Sequence, residues 1–318
     1  MIAKSLARQA RPWSLAVILV TLAAFFGLIA ILATMFSPDE FYYRFTTPRA
    51  HSLIFGTSRA AQGIKPEVLN GGSLPFDGPI FNFSFTIGSS RPGPWFFGVV
   101  EKKLAPPGGD GLFIMEVSPR SMSDVSREDG RPERVADFQE RSTFVTRMHF
   151  VNTAPNYEYL LLHYGDNLYS LALLPFIKRT TVLHKDGWLE VLWKPVSEAE
   201  LRARIARKMA SYKPEFANSR FSSLRLHYLI EFVQKLKPRG RVVILRLPAS
   251  REYLDLENAL APEFDSILET AITSAGAEYY SFAEEYPDYE TNDGAHLNAA
   301  SAQKFSERLL SVLKAGHK

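Results

Sequence analysis

Residues 13–36 include no charged side chain, and nearly every one of them is apolar. Wound as an α-helix at about 1.5 Å per residue, a run of that length crosses a bilayer hydrocarbon core of about 30 Å. It outlasts the apolar region of a secretory signal, about 7–15 residues, and Thr34-Met35-Phe36 offers no small-x-small cleavage site. A retained transmembrane helix over 13–36 is therefore predicted. Lys4, Arg8 and Arg11 precede it, and Asp39 and Glu40 follow it. Positive charge stays on the cytoplasmic side, so 1–12 is expected to be a cytoplasmic tail and 37–318 an extracytoplasmic domain, periplasmic or extracellular. Phe41, Tyr42, Tyr43 and Phe45 then form an interfacial aromatic belt, or else the first packing residues of that domain.

The 37 basic and 34 acidic residues leave a net charge of +3, too small to imply a nucleic-acid partner. Without cysteine, the chain has neither a disulfide framework nor a thiolate metal site. Beyond residue 51, strand-like runs over 52–57, 80–85, 112–117, 241–247 and 278–282 alternate with helical stretches. The clearest helices are expected over 95–104, 222–236 and 256–275, with a closing helix capped by Asn298 and ended near Gly316. Such alternation predicts the α/β class, a parallel sheet with crossover helices. Residues 120–214 are too many for a simple connection and read as an insertion. Within it, 118–134 has the composition of an exposed loop, and 157–177 that of a helix pair or a membrane-proximal surface. Ser197-Glu198-Ala199-Glu200 reads as a capping box opening a helix, with Leu201, Ile205 and Met209 on one face. His149, His163, His184 and His227 lack the spacing of metal ligands.

The first predicted strand stops at Gly56-Thr57-Ser58. Leu53, Ile54 and Phe55 suit a strand buried on both faces, and Gly56 allows a close backbone approach that a side chain would block. Ser58 is then placed at the carboxyl end of a strand, where open α/β sheets bind ligands. Taken alone, the tripeptide also fits plain turn chemistry, with Ser58 as an N-cap. Far along the chain, Asn292-Asp293-Gly294-Ala295-His296-Leu297-Asn298 holds a base, and an acid three residues ahead to orient it. Those are the two groups a serine nucleophile requires.

A Gly-x-Ser after the first strand, joined by alternating elements to an Asp-x-x-His before the last helix, resembles the SGNH/GDSL hydrolase superfamily. The stretch His296-Leu297-Asn298-Ala299-Ala300-Ser301-Ala302-Gln303-Lys304-Phe305 is similar to its membrane-anchored branch, in the wider group that includes teichoic acid D-alanylation and alginate acetylation proteins. The resemblance implies a three-layer α/β/α domain with a five-stranded parallel sheet and a helical insertion, carried on one transmembrane helix. It implies a triad of Ser58, His296 and Asp293, with the backbone N–H groups of Ser58 and Gly88 receiving an oxyanion. Asn82, leading into the second block, and Arg59, directly after the serine, are the expected substrate-binding residues; Arg59 can otherwise face solvent at the helix start. No metal or organic cofactor is implied. The implied function is that of an O-acyltransferase or esterase on a cell-envelope polysaccharide, working beside a membrane-bound O-acyltransferase and held to lipid by its anchor. The alternative is a non-catalytic, membrane-tethered assembly protein on the same scaffold. One block departs from the pattern: many members carry Gly-x-Asn-Asp after the third strand, where this chain has Glu116-Val117-Ser118-Pro119. Either Ser118 or Asn152 replaces the missing donor, or the oxyanion hole is weaker, and one lost donor costs about 2.7–4 kcal/mol.

Overall fold

The computed structural model describes residues 2–125, 144–164, 168–194 and 196–316. It divides into two compact units, Met1–Thr47 with His149–Arg179, and Pro48–Met148 with Thr180–Lys318. The exposed loop expected over 118–134 is instead buried or half-buried over 118–124, where Ser118, Ser121, Met122 and Ser123 are packed inside; beyond residue 125 it lies outside the described residues.

The first unit is built on α1 (Ile2–Met35), which over Trp13–Met35 is long and apolar enough to cross a membrane. Leu15, Val17, Ile18 and Val20 are exposed, whereas Ile29, Leu32 and Ala33 near the helix end are buried. The helix pair expected in the insertion is present as α7 (Tyr157–Tyr164) and α8 (Leu168–Ala172), and α8 packs on both α1 and α7. A 3-10 turn, Tyr42–Phe45, completes the unit. Its Tyr42 and Phe45 are fully buried packing residues, with Phe45 stacked on Phe150 and Tyr42 edge-on to Tyr159. Asp39 joins these pieces. Its carboxylate accepts the N–H groups of Phe41 and Tyr42, and the hydroxyls of Tyr159 and Tyr164 at 2.7 and 2.8 Å.

The second unit opens with β1 (Ser52–Phe55), α2 (Ser58–Gly63), α3 (Pro66–Asn70), β2 (Ile80–Asn82), α4 (Ile87–Ser90), α5 (Pro94–Lys103) and β3 (Gly111–Glu116). After β4 (Ser123–Val125), α6 (Phe144–Arg147), β5 (Thr181–Leu183), β6 (Leu189–Val191), α9 (Glu198–Ala217) and β7 (Ser219–Phe221), the regular alternation resumes. It runs α10 (Ser223–Leu236), β8 (Gly240–Arg246), α11 (Arg251–Leu260), α12 (Phe264–Ser274), β9 (Glu278–Ser281) and α13 (Ala299–Ala315). The five long-range strands form one parallel sheet in the order β2-β1-β3-β8-β9. Its central strands are apolar runs because both faces are covered, as a parallel sheet requires. Ile54, Ile114, Val243 and Leu245 share a core with Ala60 of α2 and Ile64 just after it, Leu69 of α3, and Phe305, Leu309 and Leu313 of α13. Phe55 points the other way, against Phe96 of α5 and Phe232 of α10.

Two departures from the expected elements are seen. The helix expected over 256–275 is two helices, because Pro262 has no N–H to donate and holds Ala261 outside the helical region (φ −145°, ψ 82°). The second strand is regular only over Ile80–Asn82, although the N–H groups of Phe83 and Phe85 still donate to Ile54 and Gly56; on its outer edge a hairpin comes in, the N–H of Asn82 donating to the carbonyl of Asp186 in the β5–β6 turn at 2.8 Å. A Cβ at Gly187 (φ +87°) would run into the Asn82 carbonyl, so the hairpin approaches this closely only with glycine there. Trp188 of the same turn donates to the Gln62 carbonyl at 2.8 Å and lies under the Lys65 ammonium, fastening the hairpin to α2. The hairpin thereby covers the edge strand, a position from which an uncovered sheet pairs with other chains.

Candidate active site

Strand β1 lies between β2 and β3, so successive crossovers leave it in opposite directions. The carboxyl end of such a strand is the switch point at which α/β sheets bind ligands, and Ser58 follows it there. Thr57, rather than Ser58, is the N-cap of α2: its Oγ1 accepts the N–H of Arg59 at 3.2 Å. Ser58 is thus the first helical residue, half-buried, with its hydroxyl free for another partner. That partner is His296, whose Nε2 is 2.9 Å from Ser58 Oγ. On the other side of the ring, Nδ1 is 3.1 and 3.0 Å from the two carboxylate oxygens of Asp293. With the proton on Nδ1 donated to the carboxylate, Nε2 is left to accept the serine hydroxyl.

The turn that holds this pair is built from its own backbone. Asp293 Oδ1 accepts the N–H groups of Ala295 and His296, both at 3.0 Å, and Thr291 Oγ1 accepts the N–H of Gly294 at 3.1 Å. Gly294 takes φ +91°, and a Cβ there would press on Met209, Ile205 and Ser250. Its carbonyl accepts the N–H of Ser250 at 2.8 Å, tying the turn to the segment that follows β8. Asn298 then caps α13 through the N–H of Ser301, and α13 packs on α2 and α3. His296 and Ser58 are therefore carried on elements that pack against each other. Burial alone raises the Asp293 carboxyl, but the hydrogen bond and charge of His296, with the N–H groups of His296 and Ala295, outweigh it and hold it at about 2.

Arg59 does not face the site or the solvent. It is 4% exposed, pairs with Glu257 at 3.2 Å, and donates to the carbonyls of Leu247 and Pro248. The second residue of α2 points into the protein here, and a guanidinium sunk at that depth demands a carboxylate and carbonyls. Asn82 is likewise buried and committed to the fold: its amide donates to Ala60 and Ile64 and its Oδ1 accepts from Ser84. Neither side chain is presented to a substrate. Gly88 is the exposed second residue of α4, beyond β2 at the same edge of the sheet as Ser58. Ser118 is 1% exposed, within a local turn in which its Oγ accepts the N–H of Ser121 at 3.2 Å, and this burial keeps its hydroxyl from a substrate. Asn152 belongs to the first unit.

Two neighbours of these residues were not singled out by sequence. Glu116, at the end of β3, accepts both the N–H and the hydroxyl of Thr57, at 2.9 and 2.8 Å. Gly56 lets it in, because a Cβ there would lie 2.9 Å from that of Glu116. Burial, the largest influence, pushes the Glu116 carboxyl up, against the pull of Arg59 and of the two Thr57 hydrogen bonds. The signal available was one acid closing an otherwise apolar strand. Arg204 of α9 stacks over Trp193 at 4.3 Å, and its Nη1 is 3.5 Å from the carbonyl of Asn292, next to Asp293. No known family's model matches the chain, and no curated protein matches it.

Proposed function

We propose that this protein is a membrane-anchored serine enzyme that transfers or hydrolyses acyl esters on a cell-envelope polysaccharide. The observation that carries the reading is the continuous contact from Ser58 Oγ through His296 to the Asp293 carboxylate. In the reaction, Ser58 attacks an ester carbonyl while His296 Nε2 takes its proton. The tetrahedral intermediate collapses when the same proton passes to the leaving oxygen, leaving an acyl-serine. A sugar hydroxyl or water, deprotonated by His296, then attacks that acyl group and releases Ser58. Asp293 holds the ring in the required tautomer and stabilises its charged form. The N–H groups of Ser58 and Gly88 are assigned to the oxyanion. A three-layer SGNH arrangement, the span α1 with its amino terminus in the cytoplasm, and a membrane-bound O-acyltransferase as acyl donor complete the proposal.

A second reading, a non-catalytic assembly protein, is favoured by one observation: Ser118 is buried in its own turn and supplies no replacement for the missing third oxyanion donor. A fluorophosphonate probe separates the two. The wild type should be labelled, Ser58→Ala should lose labelling with an unchanged melting temperature, and His296→Ala should lose it because an unassisted hydroxyl is a weak nucleophile. Equal signal from all three proteins would refute the triad.

A further inference from the structure

We propose that the α7–α8 arm of the first unit is itself a lipid-contacting element, seated beside α1 in the leaflet at that helix's carboxyl-terminal end. The inference rests on α1 being a membrane span, and extends the lipid contact well beyond it. Phe176 is 83% exposed and Leu162 69%, and Leu161, Tyr169, Leu173 and Ile177 are exposed with them. Isolated exposed apolar residues need no explanation, but this arm, α7 and α8 with the 3-10 turn Leu174–Phe176 that follows, carries six of them within 161–177 and so marks an interaction surface.

Depth identifies what that surface meets. Residues 13–28 alone would rise only about 24 Å as a helix, short of a core of about 30 Å, so the turn that follows, 29–32, must also lie within the bilayer. That turn carries the buried Ile29 and Leu32, with the buried Ala33 next to it, and α8 packs on α1. An arm held against the part of the span that is still in hydrocarbon lies at the same depth. Its chemistry changes where the span ends: Lys178 and Arg179 follow Ile177 directly, and the Arg179 guanidinium lies 5.7 Å over the ring of Phe36, just beyond α1. Aromatic and basic side chains at that level fit the headgroup region.

The same side chains favour acyl chains over a partner protein. Contacts between proteins inside a membrane select small residues that let backbones approach, whereas this surface presents Leu, Ile, Phe and Tyr. An apolar face sunk into the boundary between headgroups and acyl chains is how interfacial helices bind a bilayer.

The absence of cysteine makes the test direct. Single variants Phe176→Cys, Leu162→Cys, Val20→Cys and Lys213→Cys of the full chain, each checked to melt like the parent, are labelled with bimane and reconstituted into phosphatidylcholine–phosphatidylglycerol vesicles. Probes at 176 and 162 should be quenched several-fold more by a shallow doxyl lipid than by aqueous iodide, the probe at 20 by a deep doxyl lipid, and the probe at 213 by iodide. Iodide quenching at 176 and 162 with lipid quenching at 20 would overturn the arm's role and leave the anchor standing. Iodide quenching at 20 as well would remove the anchor and the arm together. Shielding of 176 and 162 from both quenchers would mean that protein covers the arm, and would also overturn the proposal.

Discussion

Asp293 and Glu116 are both buried carboxyls near the candidate nucleophile, and their surroundings move them in opposite directions. Asp293 is held at about 2 against an ordinary value of 3.8, so it binds protons less readily folded than unfolded. Its contribution is therefore complete above the unfolded value and is lost as pH falls through about 2, a change on the order of 2 kcal/mol. Between pH 5 and 2 the melting temperature of the wild type should fall more steeply than that of Asp293→Asn; parallel curves would show that the carboxylate is not so held. Glu116 has the reverse sign: its raised carboxyl favours folding at low pH and loses that contribution as pH rises through the raised value. Glu116→Ala strands the Thr57 N–H, which should cost about 1–3 kcal/mol in denaturant titration and slow labelling of Ser58. Glu116→Gln, which keeps an acceptor, should preserve labelling. That Ser58, His296 and Asp293 meet was legible because serine chemistry would require those residue types in a particular order along the chain. Glu116 was not, since its partner is the backbone of a turn 59 residues earlier, which no local pattern reveals.

Arg59 of α2, Arg246 of β8, Glu257 of α11 and Asp265 of α12 form one chain of charge, in which Glu257 bridges the two arginines at 3.2 Å each and Asp265 meets Arg246 at 2.8 Å. Both arginines and Glu257 are buried, so the network welds the helix that starts at Ser58 to the elements beyond β8. Removing one member leaves its partner's charge desolvated, which costs about 3–5 kcal/mol. Arg59→Met should accordingly lower the melting temperature sharply, with little change in labelling per folded molecule. A normal melting curve with weakened substrate binding would restore Arg59 to the site. The sequence could show an arginine at a helix start, but which way that helix faces is decided by packing of α2 on α13. Elements with strong internal patterning were readable to within a residue or two, as with β3, β8 and the Asn298 and Ser197 caps. The short strands β4 to β7 were not, because three-residue ladders have too little pattern to register and exist only through their pairing.

For the molecule as a whole, the insertion expected over 120–214 is shared: 149–179 joins α1 in the first unit, and the described remainder belongs to the second. Sequence showed its length and its aromatic density, but its allegiance depends on Asp39 reaching Tyr159 and Tyr164 across more than a hundred residues. If α1 spans the membrane with its amino terminus inside, protease added to cells, or to spheroplasts where an outer membrane is present, should degrade the second unit while a cytoplasmic control survives. Protection until the inner membrane is broken would reverse the topology. The distance along the chain between Ser58 and His296 has a further consequence, in the making of the protein. Ser58 is synthesised 238 residues before His296, and at about 5–20 residues per second it waits roughly 12–48 s for that partner. His296 in turn is set only when α13, made after it, closes on α2 and α3, with Ser306 Oγ accepting the N–H of Lys65. On the proposed chemistry, the nascent chain would carry a dormant hydroxyl until its final helix docked, and no acyl group could be taken up prematurely.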